Sequence, residues 1–98
     1  MTTEYASAVA PVTAEAVESA LTGFLAGRAG APVEADQDLF ASGLVSSMFA
    51  MQLVVHLEES YGIAIVGPEL KLDNFRTVGA MARLVMRLRE AAGEVNDG

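Results

Sequence analysis

The chain has 98 residues, 52% of them hydrophobic, and a formal charge of −7 at pH 7, with no cysteine, no tryptophan and one histidine, His56. That length suits a single domain, and an apolar share built from 17 alanines, 11 valines and 10 leucines against two isoleucines favours helix over strand. The missing cysteines exclude a disulfide framework, a thiolate zinc site and a cysteine nucleophile, and the acidic balance works against nucleic acid and anionic membranes, which require a basic patch.

Residues 1–11 are small and polar without a sustained period, and together with residues 93–98 they read as flexible tails around one domain over residues 12–92. The first eleven residues lack the basic start and apolar core of a signal peptide, and no apolar run approaches the roughly 18 to 20 residues of a membrane span. A cytoplasmic, monomeric protein is expected. Acids crowd the front of the chain: residues 1–70 hold nine against Arg28 alone, whereas residues 71–98 hold four against Lys71 and four arginines.

Thr13 is placed to cap a first helix reaching about Ala29, with Glu15 and Glu18 in its first turn and Val17, Leu21, Phe24 and Leu25 on one face. Residues 30–46 then form a long loop, pinned by the adjacent pair Leu39 and Phe40. A second helix follows Ser46 and Ser47, runs from Met48 to Tyr61 and stops at Gly62, a residue suited to a left-handed cap. Residues 63–66 read as extended chain, because Pro68 and the shortness of the run argue against a strand, with one helical turn at 69–71. Thr77 caps a last helix on which Val78, Met81, Ala82, Val85 and Leu88 share a face. The expected fold is all-α, a small bundle of three to four helices with a long first connection.

The second helix is apolar on two sides. At about 100° per residue, Ala50, Leu53, Val54 and Leu57 make one stripe, while Met48, Met51, Val55 and Glu59, with Gln52 beside them, make another. The first is assigned to the core and the second to a docking surface, since methionine adapts to differing partners. Two serines precede that helix where one suffices as cap. A hydroxyl at a helix start is also a place where a phosphodiester is stabilised by free amides and the positive end of the dipole. His56 has no nucleophile beside it in the sequence and is given no catalytic role.

The segments Asp38-Leu39-Phe40, Ser42-Gly43-Leu44-Val45-Ser46-Ser47-Met48, Leu53-Val54 and Leu57-Glu58-Glu59-Ser60-Tyr61-Gly62-Ile63 together resemble the acyl carrier protein family at its phosphopantetheine attachment site. The resemblance covers about residues 12–88. It implies that Ser47 bears a covalent 4′-phosphopantetheine, whose thiol holds an acyl thioester, and that the protein shuttles substrate without being an enzyme. It also implies a partner surface of Val45, Ser46, Met48, Met51, Gln52, Val55, Glu58 and Glu59, with Asp36 and Asp38 adding to the charge that steers basic partners.

The run over residues 43–54 with Asp73-Asn74-Phe75-Arg76-Thr77-Val78 is most like free-standing carriers of methoxymalonyl-type extender units for polyketide assembly, with D-alanyl and other aminoacyl carriers a near second. The implied partners are a phosphopantetheinyl transferase, acyl-loading and acyl-modifying enzymes and the acyltransferase of a polyketide synthase. An alternative of another class is an unmodified acidic adaptor binding through the second helix. One departure stands out: the aspartate that precedes the modified serine in the family is Ser46 here.

Overall fold

A computed structural model describes residues 12–97, with side chains through residue 91, so the tail expected at residues 1–11 lies outside the described part. Three α-helices are present, α1 (Ala14–Ala29), α2 (Ser47–Tyr61) and α3 (Val78–Asp97), and there is no strand among the described residues. Two short 3-10 turns, Gly67–Glu69 and Leu72–Phe75, lie between α2 and α3.

The caps follow from the sequence. Thr13 Oγ1 accepts the Ala16 amide at 3.1 Å, and Thr77 Oγ1 accepts that of Ala80 at 2.9 Å. Gly62 turns left-handed at φ 64° and donates its N–H to Glu58 O, which ends α2 in a conformation that a side chain would strain.

Between the helices Val17, Leu21 and Leu25 of α1 meet Leu53 and Leu57 of α2 and Val78, Met81, Leu84 and Val85 of α3, all fully buried. Leu39 from the long loop and Ile65 from the extended segment are buried in the same core.

The long loop is fastened. Leu39 N–H donates to Arg76 O at 2.8 Å, Val45 N–H donates to Leu39 O at 3.0 Å, and Gly79 N–H donates to Ala35 O at 3.0 Å. Asp38 Oδ1 accepts the amides of Phe40 and Ala41, while its other oxygen meets the Arg76 guanidinium at 3.3 Å. A seventeen-residue connection of irregular chain is thereby held to the segment before α3.

One expectation about the later chain is corrected. The turn expected at residues 69–71 is instead Gly67–Glu69, since Pro68 fits the first turn of a helix, where no N–H bond is required of it. The second turn, Leu72–Phe75, was not foreseen. Buried Asn74 organises it, donating from Nδ2 to Glu69 O at 2.7 Å and from its own amide to Lys71 O at 3.0 Å. At the C-terminus α3 continues to Asp97, through the stretch expected as a tail.

Candidate functional site

The two serines before α2 have separate positions. Ser46 is the cap residue, extended at φ −90° and ψ 169°, and its Oγ accepts the Phe49 amide at 3.1 Å. Ser47 is the first residue of the helix. Its side chain is exposed and, among the described residues, its hydroxyl and the amides of Ser47 and Met48 make no hydrogen bond within the chain. Free amide protons at the start of a fifteen-residue helix favour an anionic group held at that hydroxyl. Gly43, left-handed at φ 79°, makes the turn that brings the chain into this corner, a conformation that a Cβ would strain even though space is open around it.

Beside Ser47 lies an open groove of about 450 Å³, walled on one side by Ala50, Met51 and Val54 of α2 and on the other by Leu70, Lys71, Leu72 and Phe75. Its walls are almost wholly apolar, Lys71 being their one charged residue. The spacing of Ser47, Ala50, Met51 and Val54 is that of neighbours along one helix face, so Ser47 shares that wall of the groove. The leucines from the 3-10 segment carried no periodic signal in the sequence. They are apolar residues in a short irregular stretch, and only the fold sets them opposite α2.

The outer face of α2 presents Met48 (77% exposed), Met51 (58%) and Val55 (48%), with Gln52 and Glu59 also exposed. The facing stripe of Ala50, Leu53, Val54 and Leu57 is buried, as is Phe49. Two residues expected on a partner surface are placed differently. Val45 is only 2% exposed and belongs to the core, because its amide is drawn back to Leu39 O at the loop's end. Glu58 is half-buried, and its Oε2 accepts the Ile65 amide at 2.8 Å, so its carboxylate anchors the extended segment. Glu59, one residue on, stays exposed.

His56 stacks on Phe24 with ring centroids 4.4 Å apart and planes 9° from parallel, and Phe24 stacks in turn on Phe49. The Arg28 guanidinium lies 4.1 Å from the centre of the Phe49 ring. This ladder ties α1 to α2 and gives the histidine a packing role.

A serine hydroxyl is left uncommitted at the start of α2, with an apolar groove beside it. The chain belongs to the family described as phosphopantetheine attachment site, which matches residues 19–85. It is 34% identical over 56 residues to the D-alanyl carrier protein of Streptococcus sanguinis, covering 57% of this chain and 71% of that one. Similar proteins of the same name occur in Streptococcus mutans, 32% identical over 56 residues (57% and 71%), and Lactobacillus delbrueckii subsp. bulgaricus, 29% over 55 residues (56% and 69%).

The protein is therefore a carrier and not itself a catalyst, and its cofactor is a covalently attached 4′-phosphopantetheine. Carriers of this kind meet a phosphopantetheinyl transferase and the enzymes that load and modify their cargo. These relatives are D-alanyl carriers and not the extender-unit carriers to which the sequence runs pointed first, so the aminoacyl side of the resemblance is the better supported. None of the helices among the described residues is long and apolar enough to cross a membrane.

Proposed function

We propose that this chain carries a small aminoacyl group, of about the size of alanine, on a 4′-phosphopantetheine esterified to Ser47. The observation that carries the reading is the division between the two serines: Ser46 is committed to the Phe49 amide, whereas Ser47 is exposed and uncommitted beside the groove. When bound, the arm supplies the terminal thiol that this cysteine-free chain lacks, and the acyl group rides on it as a thioester. Met48, Met51, Gln52 and Val55 form the surface that partner enzymes read, with Glu59 at its far end and the overall negative charge steering basic surfaces toward it. The names of the similar proteins support the aminoacyl cargo.

A second reading is a glyceryl or methoxymalonyl-type cargo for polyketide assembly, favoured by the residue 43–54 run together with Asp73 to Val78. Intact mass after coexpression with a broad-specificity transferase tests the shared part. A phosphopantetheine gain that Ser47→Ala abolishes and Ser46→Ala retains is expected. No gain with any of several transferases leaves the acidic adaptor as the reading. Cargo released from protein isolated from its native host then separates the two carriers, since an aminoacyl group has a primary amine and a glyceryl unit has none.

A further inference from the structure

We propose that Lys71 is the seat of the phosphodiester that joins the arm to Ser47, an inference that rests on Ser47 as the attachment point. Lys71 is the only lysine in the chain and the only charged residue in the walls of the groove that Ser47 also lines. Its side chain is exposed and makes no ion pair or hydrogen bond among the described residues.

The other cations are engaged or distant. Arg28 lies over Phe49, Arg76 holds Asp38 and Asp73, Arg87 holds Glu69, and Arg89 donates to Tyr61 O. Arg83 lines a separate hollow with Glu18, Glu34 and Asp36.

The backbone that presents Lys71 is fixed on both sides. Its amide donates to Glu69 O and its carbonyl accepts the Asn74 amide, each at 3.0 Å, while Asn74 Nδ2 and the Arg87 guanidinium both grip Glu69. A lysine of fixed backbone and exposed side chain thus lines the same apolar groove as Ser47, in a protein of charge −7, and Ser47 begins a helix whose amides also favour an anion. Lys71 and the α2 amides would flank the phosphodiester from two sides, directing the arm's first atoms along the groove.

Reductive 13C-methylation marks only Lys71 and the N-terminal amine, and Lys71→Gln identifies which resonance is which. The sample is first shown by intact mass to carry the arm; failure there removes the carrier reading and this inference together. In arm-bearing protein the Lys71 methyl resonance is expected to move by more than its linewidth from its apo position. It should return toward that position near 1 M salt, where the screening length is about 3 Å. The 31P resonance of the phosphodiester should shift in Lys71→Gln and keep its wild-type position in Lys71→Arg, with melting temperatures unchanged because the side chain is exposed. A Lys71 resonance indifferent to a confirmed arm overturns the proposal. So does a resonance that moves only once a carboxylate-bearing cargo is loaded, which would make the cargo and not the phosphodiester its partner.

Discussion

Ser46 commits its hydroxyl oxygen to the Phe49 amide, and an aspartate at that position would offer the same cap with a charge the helix start favours. The family's aspartate and this chain's serine are therefore interchangeable as caps, and what differs is the charge shown to a transferase. Ser46→Ala should cost about 1 kcal/mol in denaturant unfolding while leaving Ser47 open to modification. Ser46→Asp should keep the fold and be modified by a transferase suited to Asp-Ser-Leu carriers at least as fast as wild type. Marked slowing would make Ser46 itself a recognition element. Glu58 has the opposite character: its carboxylate satisfies the Ile65 amide, so Glu58→Ala should lower stability by about 1 kcal/mol, whereas Glu59→Ala should leave the melt unchanged.

Helix α2 tests the assignment of faces as a unit. Leu53 has no exposure, and Leu53→Asp buries an unpaired charge that should unfold much of a domain holding the usual ~5 to 15 kcal/mol. Met51→Asp and Val55→Asp place the charge in water and should leave the thermal melt near wild type while slowing loading by partner enzymes. Unfolding by Val55→Asp as severe as by Leu53→Asp would remove the docking surface. The faces and caps of the helices were legible because 3.6-residue periodicity and capping chemistry are local: Thr13, Thr77 and Gly62 announce their roles within four residues of the bond they make. The far wall of the groove was not legible. Leu70 and Leu72 have no period to read, Val45 looks like its exposed neighbours until its amide is seen bound to Leu39 O, and the partner of Glu58 lies seven residues away.

Across the whole molecule, the loop before Ser47 is tied to the segment before α3 through Asp38 and Arg76, which are 38 positions apart in the chain. The Ala41 N–H foremost, opposed by partial desolvation and aided by Arg76 and the Phe40 N–H, holds the Asp38 carboxyl below its ordinary value of 3.8. Arg76 is shifted upward, chiefly by Asp73 and then by Asp38, and stays charged throughout. A carboxyl whose value is depressed by folding contributes stability that is complete above 3.8 and is lost as the pH falls through the lowered value. Asp38→Asn keeps an acceptor for the two loop amides but loses the charge facing Arg76, so it should be less stable than wild type at neutral pH. That deficit should persist down to about pH 4 and then close with further acidification, because protonated wild type has lost the same charge. Urea unfolding of both proteins across that range measures it. A difference that does not change with pH would show that the tie holds by shape and hydrogen bonding alone, leaving the ion pair without a part in positioning Ser47.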